Sequence, residues 1–101
     1  ALRLRGVLLG SAVMPRLDEA AAKLNMSPRS LRRHLQAEST CFQEVLDEVR
    51  YVLMQEYLLE RAMPLSKTAA LLGFSHADAL RRAFKHWTGT TIGEFQSLAN
   101  R

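Results

Sequence analysis

The chain is poor in cysteine, proline and tryptophan, with one, three and one of each in 101 residues, and the scarcities exclude several kinds of protein. A lone Cys41 allows neither an internal disulfide nor a multi-cysteine zinc site, which fits a reducing cytoplasm and leaves Cys41 as an ordinary packing residue. No apolar run approaches the roughly 18 residues of a membrane span, so no membrane partner is expected. No stretch alternates apolar and polar residues for long, which argues against strands. The three histidines, His34, His76 and His86, stand at no spacing that would build a metal or acid–base site. No metal, cofactor or enzymatic activity is therefore expected.

What is present is a basic chain with helical patterning. Lys and Arg number 14 against 10 Asp and Glu, a net charge of +4. That balance points weakly to a polyanionic partner, although a solvated basic surface gives the same number. The length suits one compact domain and is too short for a sensor and an effector side by side. Arg3 and Arg5 ahead of the apolar run Gly6 to Met14 resemble the start of a signal peptide, but no small-residue cleavage site follows, and the segment reads as a first helix. The chain starts without Met, so a fragment is expected, with further residues before Ala1.

Apolar residues recur at helical spacing almost throughout, so the fold class is all-α. Breaks fall at Pro15, Asn25-Met26-Ser27-Pro28, Ser39-Thr40, Met63-Pro64, Gly73-Phe74-Ser75 and Thr88-Gly89-Thr90-Thr91, separating seven helical segments. Thr40 with Gln43 and Thr91 with Glu94 have the spacing of capping boxes.

An internal repeat organises the chain. A shift of 48 residues lays Leu17, Ala21, Ala22, Leu24, Asn25, Met26 and Ser27 on Leu65, Ala69, Ala70, Leu72, Gly73, Phe74 and Ser75. Each copy carries a small residue, Ala21 or Ala69, that lets a second helix cross closely, and then Asn25 or Gly73, which tolerate positive φ at a sharp turn. A serine, Ser27 or Ser75, follows where it can cap the second helix. This pattern is that of a helix-turn-helix, present twice.

Past each turn the two copies carry matching polar stripes. Leu31 and Leu35 mark the apolar face of the first, and Arg29, Arg32, Arg33 and Gln36 recur at i, i+3, i+4 and i+7 on another. In the second, Leu80, Phe84 and Trp87 form the apolar stripe, while Asp78, Arg81, Arg82 and Lys85 repeat the polar spacing 49 residues on. One such stripe alone would read as a solvated face. Two matched stripes, each directly after a helix-turn-helix turn, read instead as recognition helices for double-stranded DNA. The arginine fork suits guanine O6 and N7 or a phosphate; Gln36 suits adenine or a phosphate. Asp78 suits cytosine N4, or serves only as a favourable charge at a helix start.

Between the copies, Cys41 to Arg61 reads as one long helix with Phe42, Val45, Leu46, Val49, Leu53 and Tyr57 inward. Its other side is acidic, with Glu44, Asp47, Glu48, Glu56 and Glu60, and should face away from phosphates. About 20 residues at 1.5 Å each span about 30 Å, near the roughly 34 Å repeat of the duplex. The expected organisation is a first helix-turn-helix unit over 1–40, a linker helix over 41–62 and a second unit over 63–101, with the recognition helices in successive major grooves.

These residues resemble the C-terminal DNA-binding domain of the AraC/XylS family of transcription regulators. The likeness is clearest in Leu71-Leu72-Gly73-Phe74-Ser75 and in Arg82-Ala83-Phe84-Lys85-His86-Trp87-Thr88-Gly89. It extends to Met26-Ser27-Pro28-Arg29-Ser30-Leu31-Arg32-Arg33 and to Phe42-Gln43-Glu44. The resemblance implies seven helices in two subdomains, RNA polymerase as a second partner, and an N-terminal effector or dimerisation domain outside this chain. By motif position it implies base contacts by Arg29, Arg32 and Arg33, and by Asp78, Ala79 and Arg82. Four positions depart from the family pattern: Ser39 replaces a glycine, Lys67-Thr68 an acidic-isoleucine pair, Leu80 a phenylalanine and Ile92 a proline. Ser39 and Ile92 are expected to be local backbone matters. Thr68 and Leu80 are expected to thin the core of the second unit, and Ala77 and Ala79 offer few donors, so direct readout should rest mainly on the first. The competing reading is a helical protein-interaction module without affinity for DNA.

Overall fold

The helical spacing is realised as seven α-helices among residues 1–99, the part of the chain that the computed structural model describes. They are α1 (Leu2–Leu9), α2 (Leu17–Lys23), α3 (Pro28–Ala37), α4 (Phe42–Gln55), α5 (Leu65–Leu71), α6 (Ala77–Thr88) and α7 (Ile92–Ala99), with a π-helical turn (Glu56–Glu60) directly after α4. No strand occurs among the described residues. Nor is any helix there long and apolar enough to cross a membrane. The chain divides into two units, Ala1–Val52 and Leu53–Arg101, so that the cut falls inside α4.

In the first unit, Leu4 and Leu8 lie one turn apart on α1 and join Met14, Leu24, Leu31, Leu35, Val45, Leu46 and Val49 in a closed core. Ala20 and Ala21 are both fully buried on α2, which packs against α1 and α3. Their single methyl groups permit close helix approach. After α2 the chain turns at Asn25 with φ 57°, and the Met26 N–H donates to the Ala21 carbonyl at 2.9 Å. Ser27 then caps α3, its Oγ accepting from the Ser30 N–H at 3.1 Å. Pro28 occupies the first helical position, where a missing N–H costs nothing.

The second unit repeats this geometry, not only its letters. Gly73 turns at φ 86°, and the Phe74 N–H donates to the Ala69 carbonyl at 2.9 Å, the same bond 48 residues on. Thr68, Ala69, Leu72, Leu80, Phe84 and Ile92 are buried, and the Phe84 ring meets that of Phe95 edge-on at 5.2 Å. The Thr68 hydroxyl donates to the Pro64 carbonyl at 3.1 Å, so the polar group that this residue brings into the core is satisfied.

Several local expectations are corrected. The long helix is not uniform. Its α-helical part is 14 residues, Phe42–Gln55, and a five-residue π turn follows, with the Arg61 N–H reaching back five residues to the Glu56 carbonyl. Around this wider turn Met54 and Leu58 are buried while Tyr57 is half-buried, lying under the Arg61 guanidinium at 5.5 Å, and Phe42, in the first turn of α4, is half-buried too. The regular part alone spans about 21 Å at 1.5 Å per residue, short of the 30 Å expected.

The Thr40–Gln43 capping box does not form. Gln43 donates forward to Asp47 at 2.9 Å and the Thr40 hydroxyl donates to Glu44 at 3.0 Å. At α7 the Thr91 Oγ1 does accept from the Glu94 N–H, at 3.1 Å, although its own hydroxyl then donates to the Glu94 carboxylate. Ser75 does not cap α6. The His76 imidazole does, Nδ1 accepting from the Ala79 N–H at 3.1 Å. Cys41 is exposed, not packed, because it precedes the first residue of α4 and points away from the core. Ile92, expected to matter only to the backbone, contributes a core side chain.

Candidate nucleic-acid interface

On α3, burying Leu31 and Leu35 forces the intervening residues outward, because positions one and two residues away lie on other sides of the helix. Arg29, Arg32, Arg33 and Gln36 are all exposed. No carboxylate lies on α3 itself, so three arginines share one helix face without a local counter-charge. On α6, burial of Leu80 and Phe84 likewise turns Asp78, Arg81, Arg82 and Lys85 outward, and Ala79 is half-buried. The stripes are not equivalent in charge. Asp78 accepts from Arg81 at 2.5 Å across one turn, so part of the cationic character of α6 is neutralised within the helix. Opposite charges three residues apart are the sequence signal for that pair.

Outside the recognition helices, four of the seven described cations are matched, Arg3, Lys23 and Lys67 being the others. Arg5 pairs with Glu48 at 2.8 Å, Arg16 approaches Glu19 at 3.5 Å, Arg50 approaches Asp47 at 3.5 Å and Arg61 pairs with Glu56 at 2.8 Å. Arg50 is the least exposed of these, and its burial holds its pKa below the ordinary guanidinium value, with Asp47 opposing the shift. On the acidic side of α4, Asp47 and Glu48 are thus paired with the protein's own arginines. By contrast, among the described residues Arg29, Arg32, Arg33, Arg82 and Lys85 make no ion pair. Five of the eight described cations without an ion pair thus stand on α3 and α6.

Trp87 belongs partly to the apolar side of α6. It is half-buried, and its ring stands 6.3 Å from that of Phe74, in the turn between α5 and α6.

Each recognition helix also borders a cleft against the start of the next helix. In the second unit a cleft of about 430 Å³ is lined by Arg81, Arg82, Lys85, Thr91, Gly93 and Gln96, among others. In the first, a cleft of about 340 Å³ is lined by Arg32, Gln36, Thr40, Cys41 and Gln43, among others. Gly93 and Gln96 carried no signal in the sequence, since only folding brings α7 to α6.

The helix-turn-helix domain family matches residues 20–97 of the chain. The ornithine utilization regulator of Pseudomonas aeruginosa is 43% identical over 95 residues, covering 93% of this chain and 28% of that protein. The chain therefore spans under a third of that relative's length. Among solved structures, the transcriptional regulator CdpR of P. aeruginosa superposes with a TM-score of 0.76 at 30% identity, over 85% of this chain and 27% of that one. A DNA-binding transcriptional dual regulator of Escherichia coli K-12 shares the fold with a TM-score of 0.86 at 22% identity, over 97% of this chain and 89% of that one.

Proposed function

The chain belongs to the AraC-type family of helix-turn-helix transcription regulators, which bind DNA, and we propose that it presents α3 and α6 to successive major-groove segments of one duplex. The observation that carries this reading is the sorting of charge. Four of the seven described cations elsewhere are held in internal ion pairs, whereas those of α3, and Arg82 and Lys85 of α6, are exposed and unpaired. Charge arranged in this way favours a polyanion and supplies the salt-dependent part of its affinity through counterion release. Sequence preference then comes chiefly from α3, where Arg29, Arg32 and Arg33 each present a two-pronged donor matched to guanine and Gln36 presents one matched to adenine. On α6, Arg82 is the base reader, while Asp78, held by Arg81, serves the helix more than a cytosine. RNA polymerase as a second partner, an effector or dimerisation domain elsewhere in the full protein, and action in the cytoplasm complete the reading.

Selection of bound duplexes from a random pool tests it. A motif of two boxes about one helical turn apart is expected, the box read by α3 carrying the stronger preference. Duplexes without any enriched motif, or binding that does not weaken as salt rises, would mean that the helices do not read DNA and that the chain is a protein-interaction module.

A further inference from the structure

We propose that His76 is a specificity-determining residue, the imidazole that caps α6 also donating its Nε2–H to the acceptor edge of a guanine in the major groove; this rests on the DNA-binding reading. The repeat slips by one residue between its turns and its stripes. The turns match at an offset of 48 residues and the polar stripes at 49, so His76, and not Ser75, stands where Ser27 stands in the first unit. Both residues cap their helices in the same way, the Ser27 Oγ accepting from the Ser30 N–H and the His76 Nδ1 from the Ala79 N–H, each at 3.1 Å.

Capping leaves the two side chains in different states. The Ser27 hydroxyl is fully engaged, because it also donates to the Ser30 Oγ at 3.1 Å. An imidazole has a second nitrogen. A ring whose Nδ1 accepts from a backbone N–H carries its own proton on Nε2, so the cap fixes the tautomer as well as the ring. The two ring nitrogens point in diverging directions, and the Nε2–H is therefore aimed away from the helix backbone. His76 is exposed, and its Nε2 has no partner among the described residues. A ring already held in place loses little further freedom when that donor is used.

Helix-turn-helix recognition helices meet base edges with their N-terminal residues. In the first turn of α6, Ala77 and Ala79 carry no side-chain donor, Leu80 is buried, and Asp78 is held by Arg81. His76 brings to that end of the helix a directed N–H that these neighbours lack. Guanine suits a single donor best. Its major-groove edge presents N7 and O6, both acceptors, whereas adenine sets an amino group beside N7, thymine a methyl group beside O4, and cytosine an amino group without an acceptor. The second unit then reads one guanine through its cap, in addition to the base contacted by Arg82.

Variants that keep the cap and remove the N–H test this in the whole 101-residue chain. Serine and aspartate both cap helices well, so His76→Ser and His76→Asp should melt no lower than the parent. Selection from a random pool with the parent should return a guanine at one position of the box read by α6, and selection with His76→Ser should return the same two boxes with that position alone relaxed. On a selected duplex, changing this guanine to cytosine should weaken the parent roughly 2- to 10-fold, the net worth of one hydrogen bond, and leave His76→Ser unaffected. His76→Asp should bind every duplex less tightly because of its charge, and should likewise lose the preference for guanine, which guards against a fault peculiar to serine. If both variants select the parent's guanine, or lose affinity equally for the guanine and cytosine duplexes, the imidazole is a cap alone, and the proposal falls with DNA binding intact. A parent chain that enriches no motif overturns the proposal and the DNA-binding reading together.

Discussion

Ser39 ends α3 at φ 60° without being a glycine, and Ala62 follows the π turn at φ 49°. A side chain in this region costs about 1–2 kcal/mol because Cβ crowds the carbonyl oxygen, whereas Asn25, also at positive φ, is a residue type that tolerates it. Ser39→Gly should therefore raise stability by roughly 0.5–1 kcal/mol after the added freedom of the unfolded chain is subtracted. The denaturant midpoint should rise at unchanged slope, and a fall would mean that the serine side chain contributes something that φ does not reveal. Arg33 illustrates a residue whose role is felt only in the complex. It is exposed and unpaired, so Arg33→Ala should leave the melting temperature nearly unchanged yet cost about 1–3 kcal/mol at the selected site and relax preference at one base pair. Equal losses on selected and scrambled duplexes would make Arg33 a phosphate contact.

Among the elements, α6 shows most clearly how packing divides a helix into structural and functional faces. Phe84 is fully buried against Phe95, whereas Trp87, on the same stripe, is only half-buried beside Phe74. Truncating a buried aromatic costs about 3–5 kcal/mol, so Phe84→Ala should fall in that range and Trp87→Ala at or below its lower end. Chemical denaturation of the two variants checks the order. Reversed costs would mean that the indole carries more of the core than its exposure indicates. The start of the same helix depends on His76, whose Nδ1 accepts from the Ala79 N–H. His76→Ala should destabilise the protein by about 1 kcal/mol, the scale of other side-chain caps, while Ser75→Ala should do little. The opposite ranking would restore Ser75 as the cap.

At the scale of the whole molecule, the two-groove proposal depends on the angular phase set by α4. Two alanines inserted after Gln55, where the α-helical part gives way to the π turn, keep helix propensity high but change that phase by about 200°, since each residue turns a helix by about 100°. Circular dichroism should show a folded protein, and footprinting should show one protected major-groove segment in place of two, with a shallower salt slope. Two protected segments and an unchanged slope would mean that the linker does not set the phase. The π turn gives such an outcome a physical route, because its hydrogen bonds skip an extra residue and that stretch can absorb added chain by changing its turn.

The amino-acid sequence by itself determined the helices, their breaks, the repeat and the residue types on the exposed stripes. These follow from local rules: a period of 3.6, the tolerance of Asn25 and Gly73 for positive φ, and the outward turn of every residue that does not share a face with Leu31, Leu35, Leu80 or Phe84. The sequence did not decide which of two adjacent residues would cap α6, where the α-helix would widen to a π turn, or whether Cys41 and Ile92 would face water or core. Those outcomes depend on which neighbour arrives from elsewhere in the chain. The asymmetry of the two clefts is of the same kind. In the first, Gln43 and Thr40 turn toward Asp47 and Glu44 of α4, while in the second α7 brings Gln96 beside Arg82 and Lys85, a neighbourhood that only tertiary packing creates.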